Sequence, residues 1–171
     1  MSPSSDPTAF AIDFDPRTYR MSGVAVHGNT PFDVPFISQI DGNLWQGCCE
    51  NGLILPDFIQ HVVSLYPWET YKVKHDLKSH LSVFMYDSRD QGFDQVDSVA
   101  RWVNEKCEDG PTLVHCQAGL NRSSLVAARA LMLRGSSAQD AIAKIREQRS
   151  PACLCNKSFE AWLKSHDAPS L

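Results

Sequence analysis

One nine-residue stretch combines the residue types that nucleophilic chemistry on an anion requires: His115-Cys-Gln-Ala-Gly-Leu-Asn-Arg-Ser123. The short apolar run 112–115 predicts a strand before it, and the apolar run that follows predicts a helix. A loop between the end of a strand and the start of a helix presents backbone N–H groups to an anion. Such a loop also favours the thiolate of Cys116, which makes this residue a candidate nucleophile.

Two further residues suit the loop to a phosphoryl group. Gly119 lets the backbone approach an anion without a side chain in the way. Arg122 can hold two phosphoryl oxygens in a bidentate fork, which Lys cannot do. The remaining residues of the loop are predicted to bind the phosphate: Gln117, Ala118, Gly119, Leu120 and Asn121. The competing interpretation is a tight turn around a buried cysteine.

Four segments around this loop predict helices. Apolar residues at helical spacing indicate an amphipathic helix over 94–107, and residues 123–134 are apolar nearly all round, as in a helix buried at the centre of a domain. The pattern Ser137 to Asp140 indicates a capped helix that runs to about residue 148, and Asn156 precedes a last helix. Pro56 is predicted to open a further, short helix.

Short strands are predicted before and between these helices, over 37–40, 44–46, 61–65, 82–86 and 112–115. The first two are joined by Asp41-Gly42, a strong turn pair. Because strands alternate with helices, the sequence predicts a single α/β domain whose central, mostly parallel sheet is flanked by helices. Residues 1–22 are interpreted as an N-terminal arm that is extended or partly disordered, and residues 23–171 as the domain.

Composition excludes several classes of protein. The chain has 171 residues, 43% of them hydrophobic, and a net charge of −4, which argues against a general nucleic-acid or membrane binder. No apolar stretch approaches the roughly 18 residues of a membrane span, and the N-terminus lacks signal-peptide features. We therefore expect a cytoplasmic protein. The six cysteines are expected to be mostly reduced thiols, without a structural metal site.

The segment from His115 through Cys116 to Arg122 and Ser123 resembles the signature loop of the protein tyrosine phosphatase superfamily, and the chain length indicates its dual-specificity branch. The resemblance begins at about residue 34. Residues 40–47 are similar to the opening hairpin of that family and residues 62–65 to its next core strand. The segment 151–159, with Arg146 and Arg149, is similar to the part that packs behind the loop.

This resemblance implies a phosphomonoester hydrolase that acts on phosphorylated proteins through a cysteinyl-phosphate, without a metal or cofactor. Cys116 would attack phosphorus, and Arg122 with the loop amides would hold the oxygens. A carboxylic acid must protonate the leaving oxygen. In the family this Asp lies roughly thirty residues before the cysteine; Asp87, 29 residues before it, fits best, and Asp90 is the alternative.

Three residues are given supporting roles. Ser123 could donate a hydrogen bond to the Cys116 sulfur and ease its departure, or it could simply cap the helix. His115 is expected to shape the loop and to favour the thiolate. Asn156 is expected either to brace the loop from behind or to act only as a helix cap.

Three other functions are compatible with the same loop. A catalytically silent phosphate-binding module of the same fold would keep binding without turnover. An RNA 5′-triphosphatase is suggested by the order Gly-Leu-Asn-Arg, and a phosphoinositide phosphatase is a further option, although the loop lacks the lysines that such enzymes tend to carry. The basic residues of segment 72–80 could attract an acidic substrate, but such a run is more often a solvated face.

Overall fold

A five-stranded sheet lies at the centre of the computed structural model, which describes residues 15–24, 31–88 and 92–167. The strands are β1 (Arg20–Val24), β2 (Pro31–Pro35), β3 (Ile37–Asp41), β4 (Leu44–Cys48), β5 (His61–Ser64), β6 (Ser79–Ser82) and β7 (Thr112–Cys116). The helices are α1 (Val96–Asp109), α2 (Arg122–Leu133), α3 (Ala138–Gln148) and α4 (Lys157–Ser165).

The sheet has the order β3-β4-β7-β5-β6, and only the edge strand β3 is antiparallel to its neighbour. The predicted α/β class with a mostly parallel sheet is therefore confirmed. The central strand β7 is buried along its whole length because it has a strand on either side and apolar layers on both faces. Its C-terminal residue, Cys116, lies at the edge where parallel α/β sheets bind ligands.

The helices follow from the sequence pattern. In α1, Val96, Val99, Ala100, Val103 and Cys107 are buried, as their spacing predicts. Helix α2 begins at Arg122, six residues after Cys116, and is buried nearly all round. The side chain of Ser137 accepts a hydrogen bond from the Asp140 backbone N–H at 3.1 Å, so the predicted cap of α3 is present.

Three parts of the sequence prediction are wrong. No helix begins at Pro56, because Leu55, Pro56 and Ile59 are instead buried in an irregular segment against one face of the sheet. The strand predicted over 82–86 lies earlier, as β6, since its register with β5 pairs His61 with Ser79. The hairpin β1–β2 was not predicted at all.

Further features bear on the organisation of the chain. Part of the predicted N-terminal arm is strand β1, while residues 1–14 lie outside the described residues. Among the described residues, no helix is both long enough and apolar enough to cross a membrane. All six cysteines are free thiols.

Candidate active site

The segment from the last residue of β7 to the first residue of α2, residues 116–122, is here called the cysteine loop, and the carbonyl groups of 117–121 point outward from it. The carbonyls of Gln117, Leu120 and Asn121 accept hydrogen bonds from the backbone N–H groups of Cys49, Leu154 and Leu125. The carbonyls of Ala118 and Gly119 accept from Arg149. In the described part of the chain, none of the N–H groups of 117–121 donates to a protein acceptor. The loop therefore offers a set of unused N–H donors at the N-terminus of α2.

Arg149, which is 6% exposed, braces the cysteine loop from behind. Its Nε donates to the Gly119 carbonyl at 2.8 Å, and its Nη1 donates to the Pro35 carbonyl and to Ser38 Oγ, each at 3.0 Å. The guanidinium thus ties the loop to the start of β3. A buried arginine with several acceptors in fixed directions restricts the loop to one conformation.

Gly119 is required where it stands. Its φ is +72°, a left-handed conformation that favours glycine, and a Cβ here would lie 2.5 Å from Arg149 Nη2 and 2.6 Å from the Gly47 carbonyl carbon. The loop therefore passes against the backbone of β4 with no room for a side chain. This close approach places the loop directly above the sheet edge.

Cys116 is 2% exposed, and its sulfur lies 3.3 Å from Ser123 Oγ. Gln46 on β4 donates from Nε2 to Ser123 Oγ at 3.1 Å, to Ser124 Oγ at 2.6 Å and to the Gly119 carbonyl at 3.1 Å. Because Gln46 fills an acceptor position of the Ser123 hydroxyl, the hydroxyl proton is available to the sulfur when the latter is a thiolate.

Arg122, the first residue of α2, is 8% exposed. Its Nη1 donates to the Met85 carbonyl at 3.1 Å, and its guanidinium carbon lies 5.1 Å from the centre of the Tyr66 ring. Its Nε is buried and has no hydrogen-bond partner among the described residues. A buried N–H that belongs to a charged group and lacks an acceptor is unfavourable, so this atom is suited to an anionic ligand.

His115 points to the face of the sheet opposite the cysteine sulfur. Its Nε2 lies 2.6 Å from Ser64 Oγ, and the edge of its ring contacts Tyr71. Burial lowers the pKa of His115 to about 4, with a smaller effect of His80, so the imidazole is neutral at neutral pH. Burial raises the pKa of Cys48, the neighbour of Cys116 across the β4–β7 pair, to about 12. Cys48 is therefore a neutral thiol.

Asp87 is bound by two side-chain amides. Asn121 Nδ2 donates to one carboxylate oxygen of Asp87 at 2.9 Å, and Asn156 Nδ2 donates to the other at 2.8 Å. The two asparagines are themselves joined, because Asn121 Oδ1 accepts from the Asn156 backbone N–H at 2.9 Å. Asn156 also caps α4 by accepting from the Ser158 N–H. The Asp87 segment is thereby attached to the cysteine loop.

The structure brings most of the predicted site residues together. Cys116, Arg122, Ser123 and Asp87 converge on the cysteine loop, whereas Asp90 lies outside the described residues. Leu120 is buried in the core, so only its backbone can face a ligand, and the Asn121 side chain is engaged with Asp87. No group of three or more metal-ligating side chains is assembled within the described ranges.

The sequence did not predict the roles of Gln46 and Tyr66. It placed Arg149 behind the loop only through the resemblance to the phosphatase superfamily. Nothing adjacent to these residues in sequence marks them, because they meet the loop only in the folded chain. Gln46 is a partial exception, because a Gln within a strand predicted for the core is unusual, and in the structure it is fully buried.

The sequence was also compared with known protein families and with curated proteins. Residues 57–168 match the sequence model of the family described as dual specificity phosphatase, catalytic domain. No curated protein matches the chain in sequence.

Solved structures resemble the fold at low sequence identity. A mouse putative dual specificity phosphatase complexed with zinc tungstate has a TM-score of 0.66 at 18% identity, covering 78% of this chain and 87% of that one. Human DUSP28 has a TM-score of 0.66 at 17% identity, covering 78% and 93%. A human tyrosine phosphatase-like serine/threonine/tyrosine-interacting protein has a TM-score of 0.64 at 19% identity, covering 76% and 94%.

Proposed function

This chain belongs to the dual specificity phosphatase family, and from that premise we propose that it hydrolyses phosphate monoesters of proteins with Cys116 as the nucleophile. The substrates are phosphotyrosine and phosphoserine or phosphothreonine side chains. Arg122 and the N–H groups of the cysteine loop bind the phosphoryl oxygens, and Asp87 is the general acid. The alternative of a silent phosphate-binding module is disfavoured because nucleophile, arginine and acid are all present.

One observation carries this proposal: the cysteine loop directs its carbonyls outward and leaves its N–H groups and the buried Arg122 Nε without protein acceptors. Unused buried donors are rare in folded proteins unless a ligand takes them. A tetrahedral dianion supplies several acceptors at once, and the helix N-terminus favours its charge. The sulfur of Cys116 begins the same loop, in a position to attack a bound phosphoryl group.

In the first chemical step the Cys116 thiolate attacks phosphorus opposite the leaving oxygen. The sulfur–phosphorus bond forms as the bond from phosphorus to the leaving oxygen breaks. The equatorial oxygens remain on the loop N–H groups and on Arg122, whose planar fork fits two of them. These donors are fixed by Arg149 and Gln46 before the substrate arrives, so little reorganisation is needed.

Asp87 donates the proton that the leaving oxygen needs. One of its carboxylate oxygens accepts from Asn121 of the cysteine loop and the other from Asn156, so these contacts hold the carboxyl group beside the loop where the leaving oxygen would lie. In the second step Asp87 takes a proton from water as the water oxygen attacks phosphorus. The sulfur then leaves as a thiolate, and the hydroxyl of Ser123, 3.3 Å away, stabilises it.

The test is hydrolysis of p-nitrophenyl phosphate by fresh, reduced protein with a chelator present. We expect turnover that is lost in Cys116→Ser and reduced by at least about a hundredfold in Arg122→Lys, since lysine cannot form the fork. Cys107→Ala, which removes a cysteine of α1, is the matched control and should remain active. Turnover that persists in Cys116→Ser would contradict the proposal, and so would a wild type without activity.

A further inference from the structure

Five large hydrophobic side chains are exposed in the described part of the chain, and three of them lie beside the candidate site. Trp68 is 53% exposed, Phe84 57% and Tyr86 61%. We call these three residues the aromatic rim. Exposed aromatic side chains that cluster in this way usually mark a binding surface, whereas isolated ones do not.

Ring contacts connect the aromatic rim to the phosphate-binding arginine. Trp68 lies 4.9 Å from the Tyr66 ring and 5.1 Å from the Phe84 ring, centre to centre. The guanidinium of Arg122 lies over the ring of Tyr66 in a cation–π contact. Only one aromatic ring therefore separates Trp68 from the group that we propose binds phosphate.

The second side of the rim borders the general acid. Between Phe84 and Tyr86 stands the buried Met85, whose carbonyl accepts the hydrogen bond from Arg122. Because exposure alternates along this segment, Phe84 and Tyr86 both face outward. Tyr86 directly precedes Asp87. A substrate with its phosphoryl group in the cysteine loop would thus bring neighbouring parts of its chain to the rim.

Charge indicates which kind of molecule the rim accepts. A cavity of about 350 Å³ beside Gln117 is lined by Glu50 and by Glu69, the residue after Trp68. Burial, and then the nearby Glu50, raise the pKa of Glu69. Arg20 shares the cavity, but no ion pair joins it to either glutamate within the described ranges. Two carboxylates near the rim, neither of which has an ion-pair partner in the described part of the chain, oppose a polyanion such as RNA.

We propose that the aromatic rim binds a large apolar or aromatic side chain flanking the phosphorylated residue of a polypeptide substrate. The phosphatase would then prefer phosphopeptides that carry such a residue at one fixed position. The rings of Trp68 and Phe84 already hold each other edge to face, so little side-chain ordering is needed when the substrate binds. This inference rests on the proposed function of the site.

The test uses phosphotyrosine peptides in a serine and glycine background, with one Phe placed in turn at each position around the phosphotyrosine. In the wild type we expect kcat/KM to be about tenfold higher for one position than for the Phe-free peptide, as burial of part of an aromatic ring allows. Trp68→Ala and Phe84→Ala should reduce this ratio to near one. Trp68→Phe should retain part of it.

Leu133→Ala is the matched control, because Leu133 is exposed at the opposite end of the helix that Arg122 begins. It should leave the ratio unchanged. A flat profile in the wild type, or a preference that survives in both alanine variants, overturns the inference. So does faster, Trp68-dependent hydrolysis of a 5′-triphosphorylated RNA. If the wild type does not hydrolyse even p-nitrophenyl phosphate, the proposed function itself has failed. If p-nitrophenyl phosphate turnover is normal but the peptide profile is flat, only the proposed role of the aromatic rim in substrate binding is rejected.

Discussion

Replacing Asp87 by asparagine should disturb stability as well as catalysis. In the wild type, the carboxylate of Asp87 accepts from two amide nitrogens, those of Asn121 and Asn156. An asparagine at position 87 has only one side-chain oxygen. In either orientation of its amide group, the nitrogen faces the amide of Asn121 or that of Asn156, so two N–H groups oppose each other.

The magnitude follows from these contacts. One hydrogen bond to a charged acceptor is lost, and removing it destabilises the fold by about 1.5–3 kcal/mol. For a chain of this size, each kcal/mol lowers Tm by roughly 2–4 °C, so Asp87→Asn should lower Tm by roughly 5 °C. Urea unfolding followed by fluorescence measures the same difference at constant temperature.

A second substitution separates stability from catalysis. Adding Asn156→Asp places a carboxylate opposite the new amide at position 87, which restores one donor and one acceptor at each contact. The new carboxylate can still accept from the Ser158 N–H, since aspartate is a good helix cap. We therefore expect the double variant to regain at least half of the lost stability.

Activity should not return with stability. Asp87→Asn should slow hydrolysis of phenyl phosphate, which has a poor leaving group, by about 10²–10⁴-fold, and slow p-nitrophenyl phosphate much less. The double variant should show the same defect, because the carboxyl group has moved to position 156. Equal stability of the wild type and both variants would refute the hydrogen-bond account. Undiminished hydrolysis of phenyl phosphate by Asp87→Asn would exclude Asp87 as the general acid. Asp90→Asn should therefore be assayed in parallel.

Two further predictions concern the loop and the strand before it. Gly119→Ala should lose about 2–4 kcal/mol of unfolding free energy and should no longer bind vanadate, an analogue of phosphate. Gly42 is the control, since its φ is +55° but nothing lies within 4 Å of an added Cβ. Gly42→Ala should lose only about 1 kcal/mol and bind vanadate normally. Equal losses would contradict this. The pKa of His115 is about 4 in the folded state, so between pH 6.5 and 4 the unfolded state binds more protons. Protonation of this group should therefore lower the free energy of unfolding by about 3 kcal/mol as the pH decreases. In urea unfolding, the free energy of unfolding of His115→Gln should depend less steeply on pH than that of the wild type. An equally steep dependence in both proteins would contradict this prediction.

The sequence predicted those parts of the fold that depend on local patterns. The strand 112–116, the cysteine loop and α2 follow one another, and each has a strong signal in its own residues. The apolar spacing of α1 and the cap of α3 are equally local. Because the nucleophile and the arginine lie within this single segment, their juxtaposition could be predicted without knowledge of the rest of the chain.

The errors occur where partners distant in sequence decide the structure. Aromatic residues such as Phe84 favour strands by propensity, yet the pairing with β5 ends at Ser82 and leaves Phe84 exposed. The contacts of Gln46 and Asn121 join elements far apart in the chain, so no spacing rule reveals them. The misassigned segment also carries Phe84 and Tyr86, two of the three residues of the aromatic rim, as expected if local preferences are overridden at functional surfaces.

Trapping the covalent intermediate shows whether catalysis proceeds through a phosphorylated Cys116. Wild-type protein is mixed with a ³²P-labelled phosphotyrosine peptide, quenched in acid within the first turnover, digested and analysed by mass spectrometry. We expect a phosphoryl group on the fragment that contains Cys116, and none in Cys116→Ser. Steady turnover with no covalent label, or a label on another residue, would contradict it.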